Sequence, residues 1–483
     1  MKKYQILNEA DIRENNSYEF CEISPFDAGI PLVELSDKTI EEIYYYRWHS
    51  FCSHIKNTPL GYIVTEFTPS VPWEGLYGSI VCPAGHQMYE GRWLHNTKYL
   101  DDYARFWFCD GADPMLYSTW LADSTYAMCK VWGDFTLAKS LYPKLCEHYE
   151  AIEKRHRMTC LVRLLYQIDD RDGMEFSASG NGCRPTINSY HYGDAVALSK
   201  IAGILGKEEE KEYYISRYTE QKQLMDTAMW DKNAEFYKNV KNGYWLCDVR
   251  EITGYIPWYF GMPDEDKNGA WKFLNDENYF YAPYGPTTAE RNYPDFMKSY
   301  SHMCLWNGPS WPFSTSQTLT ALANFICDYN QDIMGRSDYY KWLKLYAGCQ
   351  YSENEKGERI PAIDENLHPF TGEWFTKKMR IERGCDKAAI ERGIHYNHSS
   401  FCDLVLSGLA GVRPRDDDKI EICPLFEKSD LEYFCADGIL YHNHYITVMW
   451  DKTGEKYGRG KGLFIYIDGE LKAENREIGK III

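Results

Sequence analysis

The sequence has no apolar run near the ~20 residues that a membrane-spanning helix needs. It also has no Gly-rich phosphate-binding motif of the GxGxxG or GxxxxGK[ST] type. Positive charge is scarce, because 53 Lys and Arg residues face 71 Asp and Glu residues, which gives a net charge of −18. Such a chain lacks the clustered cations that phosphate backbones and anionic membranes attract. We therefore expect no nucleic-acid partner and no membrane partner.

Paired cysteines are missing as well. The 16 cysteines are scattered singly, and the closest two, Cys423 and Cys435, are 435 − 423 = 12 positions apart. No CxxC occurs, which argues against a zinc ribbon or a thioredoxin-type site. The acidic run 169–172 starts like an EF-hand loop but has no Glu at the twelfth position. Since the N-terminus also lacks the apolar core of a secretory signal, we expect reduced thiols, a cytoplasmic location, no metal and no cofactor.

Aromatic residues are plentiful: 40 Tyr, 21 Phe and 15 Trp make up 16% of the chain. Tyr and Trp offer an apolar face with a polar edge, which suits hydroxylated ligands such as sugars. A large helical core that uses many aromatic side chains is the alternative explanation.

From about residue 41 the apolar pattern predicts paired helices. One pair covers 117–132 and 134–157 and is separated by Gly133, and a second covers 189–205 and 208–230. Further helices are predicted at 249–260, 264–274, 317–329, 337–350 and 399–408. No fixed repeat period is present, and the loops between helices are long and distinct. The pattern therefore favours a mainly α fold, a closed (α/α)6 toroid, over an open solenoid.

The sequence pattern changes from helical to β-rich after about residue 415, where short β-rich segments follow each other. Asp468-Gly469 predicts a hairpin turn there. We predict a barrel domain over 41–414 and a small antiparallel β-sheet domain over 415–483. Part of the N-terminal segment 1–40 is expected to pair with this sheet.

Four loop regions carry the polar side chains that glycosidic-bond cleavage requires. They are 73–93, 169–190, 306–313, and 363–374 followed by 395–400. That reaction needs one protonated carboxyl group to donate a proton to the leaving oxygen and one carboxylate to activate water or attack directly. Aromatic, Asn, Arg and His side chains would hold the sugar. The candidates for substrate binding are His86, Glu90, Arg92, Trp93, Arg184, Trp306, Asn307, Trp311, Glu373 and His398.

The segment Trp306-Asn-Gly-Pro-Ser-Trp resembles the W-x-G-P-x-W signature of (α/α)6-barrel glycosidases, the group of family 63 glucosidases, trehalases and mannosylglycerate-type hydrolases. Segments 172–177, 364–373 and 396–406 resemble, in the order expected of that group, its general-acid segment, its general-base segment and the helix that closes the barrel. The resemblance covers roughly 60–412.

The resemblance implies that Glu175 is the general acid, Glu365 is the general base and the reaction inverts the anomeric centre. Asp172 is the fallback acid, because many members of the group have Asp where this chain has Glu175. The S-P-R sequence expected after the acid is replaced here by 177–185.

We therefore predict a glycoside hydrolase that cleaves a terminal glycosidic bond of a carbohydrate substrate. Four alternatives remain: a non-catalytic sugar-binding barrel, a furanosidase of the arabinofuranosidase type, an epimerase and a phosphorylase. An epimerase would place His86, His395 or His398 at the centre of the site, and a phosphorylase would require phosphate. The sugar, its anomer and the oligomeric state stay open at this point.

Overall fold

The computed structural model describes residues 3–16, 18, 22–71, 74–159, 162–298, 305–354, 356–391, 393 and 395–483. The α-helices are α1 (Glu9–Asn15), α2 (Pro25–Ala28), α3 (Lys38–Ser53), α4 (Ala84–Gly91), α5 (Lys98–Phe106), α6 (Leu121–Trp132), α7 (Thr136–His156), α8 (Pro185–Ile204), α9 (Glu208–Ala228), α10 (Ile256–Tyr259), α11 (Pro312–Asp328), α12 (Arg336–Cys349), α13 (Phe375–Glu382) and α14 (Lys387–Glu391). Short 3₁₀ helices span Asp169–Asp172, Ile252–Tyr255 and Glu265–Phe273, and a π-helical segment spans Leu404–Leu409.

The strands are short outside the C-terminal region. They are β1 (Leu32–Leu35), β2 (Ile55–Thr58), β3 (Gly61–Val64), β4 (Trp230–Asp231), β5 (Phe236–Tyr237), β6 (Val240–Lys241), β7 (Trp245–Leu246), β8 (Tyr351–Glu353), β9 (Arg359–Pro361), β10 (Val412–Arg413), β11 (Glu421–Ile422), β12 (Tyr433–Tyr441), β13 (His444–Asp451), β14 (Gly462–Ile467), β15 (Glu470–Asn475) and β16 (Ile481–Ile482). Within the described part of the chain, no helix combines the length and apolar character that crossing a bilayer requires.

Local sequence signals explain where the main helices begin and end. α6 stops at Gly133, which adopts the left-handed conformation at φ = 69° that glycine tolerates best. α8 and α11 each begin with a proline, Pro185 and Pro312, in the first turn, where a missing N–H costs nothing. These two starts matter for function because Arg184 and Trp311 directly precede them.

Six helical segments pack on one another in succession. α4 packs on α6, α6 on α8, α8 on α10, α10 on α11, and α11 on the π-helical segment. Glu90 of α4 joins the last segment back to the first, because its carboxylate accepts hydrogen bonds from the N–H groups of Phe401, Cys402 and Asp403 at 2.8–3.0 Å. In a second layer, α7 and α9 pack on α8, and α12 packs on α11 and α3.

The C-terminal region forms a five-stranded antiparallel sheet in the order β1-β12-β13-β14-β15. Its edge strand β1 comes from the N-terminal segment, and Leu32 pairs with Asp437. The Asp437 carboxylate also accepts hydrogen bonds from the N–H groups of residues 5–7 at 2.7–2.9 Å. Asp468 and Gly469, at φ = 52° and 83°, connect β14 to β15, which confirms the predicted hairpin turn.

Two of the helix predictions were wrong in form. The predicted helix 249–260 is a 3₁₀ turn followed by the single-turn helix α10, and the predicted helix 264–274 is a 3₁₀ helix. Pro257 explains part of this, because a proline inside a helix removes one backbone donor and clashes with the preceding turn. After α9, the segment 229–237 contains the hairpin of β4 and β5.

Candidate active site

The loop that carries Glu175 is built around a buried arginine. The 3₁₀ turn Asp169–Asp172 ends at Gly173 with φ = 74°, and Phe176 also has a positive φ of 56°. Arg184 is fully buried, and its guanidinium donates to Asp172 Oδ2 at 2.6 Å and to the carbonyl oxygen of Gly180 at 2.7 Å. Because Arg184 precedes α8, these bonds fasten the turn bearing Glu175 to the start of a core helix.

Glu175 has the environment of a carboxyl group that holds its proton near neutral pH. The side chain is half-buried, and its Oε2 accepts a hydrogen bond from Trp306 Nε1 at 3.2 Å. The pKa of Glu175 is raised from 4.5 to about 7. Burial is the largest cause, the negative charge of Glu365 acts in the same direction, and the Trp306 N–H acts in the opposite direction. The two acids, 190 positions apart in sequence (365 − 175), therefore interact in space.

Glu365 lies beside a buried cation. Arg380 of α13 places Nη2 3.4 Å from Glu365 Oε2 and Nη1 3.9 Å from Asp364 Oδ1, and its side chain is 2% exposed. The backbone N–H of Glu365 donates to Asp364 Oδ1 at 2.7 Å. Gly393 packs so closely that a Cβ there would lie 1.8 Å from Asp364 Oδ1. Glu365, the candidate base, thus lies in a tightly packed segment in which a buried arginine balances the charge of two acids.

Backbone pairing brings the tryptophan loop to the loop of Glu365. Ser310 and Leu367 exchange two N–H···O=C hydrogen bonds, both at 2.9 Å. Trp306 then stacks on Trp311 with ring centres 4.4 Å apart, and Trp311 stacks on Phe313 at 4.5 Å. These rings form an aromatic wall beside Glu175.

Four side chains that the sequence did not single out complete the surroundings. The charges of Glu175 and Glu66 raise the pKa values of Cys82 and Tyr117, after burial, which is the larger cause. Burial, then the charge of Glu365, and then that of Glu66 raise the pKa of Tyr396. Tyr396 begins the segment 396–406 that resembles the closing helix of the barrel, whereas Glu66, Cys82 and Tyr117 lie outside the segments that carry the resemblance.

His398, a predicted sugar contact, lies next to this group. Its ring centre is 4.2 Å from that of Tyr396, and its Nε2 is 3.9 Å from Glu66 Oε1. We call Glu66, Glu175, Glu365, Tyr396 and His398, together with the nearby Tyr117 and Trp306, the carboxylate site. Five predicted residues thus meet or adjoin here: Glu175, Glu365, Trp306, Trp311 and His398.

Three predicted substrate contacts instead join helices. Glu90 binds the backbone that precedes the π-helical segment, as described above. Arg92 Nη2 lies 2.8 Å from Asp403 Oδ1, and Trp93 Nε1 donates to the same oxygen at 2.6 Å. Arg92 also lines a cavity of about 610 Å³ with Lys130, and neither Glu175 nor Glu365 is among the residues around that cavity. The described contacts therefore give these three side chains structural partners and none on the carboxylate site.

Asp172, Asn307 and Glu373 also have protein partners. Asp172 is 1% exposed and accepts hydrogen bonds from Arg184 and Thr186. Asn307 is buried, and its amide donates to the carbonyl oxygens of residues 295 and 298. Glu373 is exposed and pairs with a lysine of α13 at 2.9 Å. The arrangement favours Glu175 over Asp172 as a proton donor, because Glu175 is the more accessible of the two.

The histidines that an epimerase would need are mostly enclosed. His86 packs 4.4 Å from the ring of Phe313, and burial lowers its pKa well below the usual value. His395 Nδ1 lies 3.0 Å from the Tyr46 hydroxyl, and burial lowers its pKa to about 3. Among the side chains that the structure describes, no group of three His, Cys, Asp or Glu residues is arranged to hold a metal ion.

Comparison with known proteins gives both a family and a fold. The sequence model of the family described as "Mannosylglycerate hydrolase MGH1-like glycoside hydrolase domain" matches residues 76–399. An uncharacterized protein of Borreliella burgdorferi is 26% identical over 111 residues, which are 23% of this chain and 23% of that protein.

Two solved structures resemble a large part of the chain. One, named "Sialidase", is 37% identical with a TM-score of 0.91, and the match covers 99% of this chain and 45% of that one. The other, the alpha-L-rhamnosidase from Dictyoglumus thermophilum, is 14% identical with a TM-score of 0.53 over 93% of this chain and 45% of that one, a likeness of fold. This chain therefore spans less than half the length of either.

Proposed function

This chain belongs to the mannosylglycerate hydrolase MGH1-like glycoside hydrolase domain family, and we propose that it hydrolyses a terminal glycosidic bond with inversion of the anomeric centre. In this proposal Glu175 is the general acid and Glu365 is the general base. The observation that carries it is the raised pKa of Glu175, about 7, to which the charge of Glu365 contributes. Acid–base cleavage of a glycoside requires one protonated carboxyl group as the acid and a second carboxyl group nearby as the base.

The reaction would follow from these two protonation states. Protonated Glu175 donates its proton to the glycosidic oxygen as the bond from that oxygen to the anomeric carbon breaks. Glu365 takes a proton from a water molecule, whose oxygen forms the new bond to the anomeric carbon from the opposite face. The leaving group departs as an alcohol. Inverting enzymes separate the two carboxyl groups by roughly 6.5–9.5 Å to leave room for this water.

One neighbouring side chain would orient each of the two carboxyl groups. The Trp306 N–H donates to Oε2 of Glu175, which leaves Oε1 to carry the proton toward the substrate. Arg380 Nη2 lies 3.4 Å from Glu365 Oε2 and would help to orient that carboxyl group. Trp306 and Trp311 are 1% and 3% exposed, so the aromatic wall would position Glu175 and offers little surface on which a sugar could stack.

The helix packing supports an (α/α)6 barrel as the scaffold. The succession α4, α6, α8, α10, α11 and the π-helical segment, which Glu90 joins back to α4, corresponds to six inner helices. The residues of the carboxylate site come from segments that precede five of these: Glu66 precedes α4, Tyr117 precedes α6, Glu175 precedes α8, Trp306 precedes α11, and the remaining residues precede the last segment. We keep the division into a barrel over 41–414, a β-sheet domain over 415–483 and an N-terminal segment over 1–40 as part of the proposal.

Leaving-group dependence tests the assigned acid. A panel of aryl glycosides that includes pyranosides and arabinofuranosides identifies the sugar, and proton NMR of the first product formed gives its anomer. Glu175→Gln should lose at least 100-fold in kcat on alkyl glycosides but much less on dinitrophenyl glycosides, whose leaving group needs no proton. Glu365→Gln should lose activity on both. Equal losses for both leaving groups in Glu175→Gln would remove that residue from its role.

A further inference from the structure

A third carboxylate lies in the site without a task in the reaction. Glu66 follows β3, and its N–H donates to the carbonyl oxygen of Gly78 at 2.6 Å. The preceding residue, Thr65, is held by His54 through two hydrogen bonds of 2.8 and 2.9 Å. The backbone of Glu66 is thus fixed, while 24% of its side chain stays exposed.

Glu66 lies beside other residues of the carboxylate site. Its Oε1 lies 3.9 Å from His398 Nε2, and the ring of His398 contacts that of Tyr396. After burial, the charge of Glu365 is a further cause that raises the pKa of Tyr396. After burial, the charges of both Glu175 and Glu66 contribute to the raised pKa of Tyr117. Glu66 therefore lies between the groups that surround the acid and those that surround the base.

The charges around the site are mainly negative. Within the described chain, the carboxyl groups in or beside the site include Glu66, Asp170, Glu175, Asp364 and Glu365. The cations are Arg380, which lies against Asp364 and Glu365, and Arg171, whose guanidinium carbon is 5.6 Å from the ring centre of Tyr117. Arginine binds a carboxylate group best through two parallel N–H donors, whereas Arg380 already lies against two acids and Arg171 lies over an aromatic ring.

We propose that Glu66 is a substrate-binding residue whose carboxylate accepts hydrogen bonds from sugar hydroxyl groups and restricts the site to uncharged sugars. This proposal rests on the proposed hydrolase function and names its substrate class. Hydrogen bonds from hydroxyl groups to a carboxylate are among the strong ones. A sugar carboxylate, as in uronic or sialic acids, would instead meet several like charges at short range.

Matched pairs of substrates test the substrate class. 4-Nitrophenyl glucosides and galactosides differ from the corresponding glucuronides and galacturonides only at C6, and 4-nitrophenyl rhamnosides, arabinofuranosides and an aryl sialoside complete the panel. For the wild type we expect each anionic substrate to be cleaved at less than 1% of the rate of its neutral partner. An anionic substrate cleaved as fast as its neutral partner would overturn the proposal.

Charge removal tests Glu66 itself. Glu66→Gln keeps the shape of the side chain, and the exposed Glu382 of α13 provides the control Glu382→Gln. On the best neutral substrate we expect kcat/KM to fall at least tenfold in Glu66→Gln, mainly through a higher KM, and to change less than twofold in the control. An unchanged KM in a folded Glu66→Gln protein, as judged by its melting temperature, would overturn the assignment.

Binding separates this proposal from the hydrolase proposal. If no glycoside of the panel is cleaved, the hydrolase proposal fails for those sugars, and calorimetry with D-glucose, D-mannose, L-rhamnose, L-arabinose and D-glucuronate then decides the substrate class. Binding of a neutral sugar that weakens at least tenfold in Glu66→Gln supports a role for Glu66 in sugar binding. Binding of D-glucuronate as tight as that of D-glucose, or no binding of any sugar, overturns it.

Discussion

The negative charge of Glu365 raises the pKa of Glu175, although 190 residues separate the two in sequence (365 − 175). Burial acts in the same direction and is the larger cause, so Glu175 holds a proton up to a pH of about 7. Arg380 lies against Glu365. The pair therefore offers one proton donor and one acceptor under the same conditions, which is the basis of the predictions below.

Activity should fall as the pH rises through about 7. The general acid must be protonated, and the folded-state pKa of Glu175 is raised from 4.5 to about 7. The protonated form is thus fully present well below 7 and is lost above it. The measurement is the pH profile of kcat/KM between pH 5 and 9, and a rate that stays level up to pH 9 would contradict the assignment.

Trp306→Phe should move the basic limb of the pH profile, the range in which kcat/KM falls as the pH rises, to higher pH. The indole N–H donates to Glu175 and lowers its pKa, so its loss favours the protonated form, while the phenyl ring still stacks on Trp311. We expect an upward move of roughly half to one pH unit. Trp311→Phe is the matched control, since the indole N–H that donates to Glu175 belongs to Trp306. A limb that moves equally in both variants would refute the role of the Trp306 N–H.

Arg380→Gln should lower both activity and stability. The arginine is buried, and its removal leaves Asp364 and Glu365 together without their cation. Breaking a buried ion pair in this way costs about 3–5 kcal/mol. Arg380→Lys keeps the charge and should recover part of the melting temperature and part of kcat. Wild-type kinetics and melting in Arg380→Gln would show that the contact is of no consequence.

Glu90→Gln tests the helix closure rather than the chemistry. The carboxylate accepts four contacts of 2.8–3.0 Å from three buried N–H groups, and an amide would turn a donor toward some of them. We expect a loss of about 2–3 kcal/mol in the free energy of unfolding, measured by denaturant titration. For Glu147→Gln, whose side chain is 68% exposed in a surface ion pair, we expect less than about 1 kcal/mol. Equal losses in the two variants would speak against the closure.

Much of the helical framework could be predicted from the sequence because its signals are local. The predicted helices 134–157 and 208–230 correspond to α7 and α9 within two residues at each end. The region around Pro257 failed because the apolar pattern does not distinguish a full helix from short 3₁₀ turns. Tertiary contacts decide that question.

Residues of the site could be predicted from the sequence only where they lie in a segment that resembles a known motif. Glu175 and Glu365 stood out through their resemblance to known catalytic segments, whereas Glu66 lies in an unremarkable segment after a short strand. Glu90 and Arg92 show the opposite difficulty, because a local cluster of charged residues has the same sequence pattern whether it faces a pocket or a neighbouring helix. Only the fold brings Asp403 to Arg92, 403 − 92 = 311 positions away.

Direct titration of Glu175 tests the central claim most closely. With ¹³C-labelled Glu carboxyl groups, the signal that disappears in Glu175→Gln identifies this residue, and its pKa can be followed by NMR in the wild type and in Glu365→Gln. We predict a pKa of about 7 in the wild type and a lower value, still above 4.5, in Glu365→Gln, because burial remains when the charge is removed. A pKa near 4.5 in the wild type, or one that does not change in Glu365→Gln, would contradict a cooperating pair.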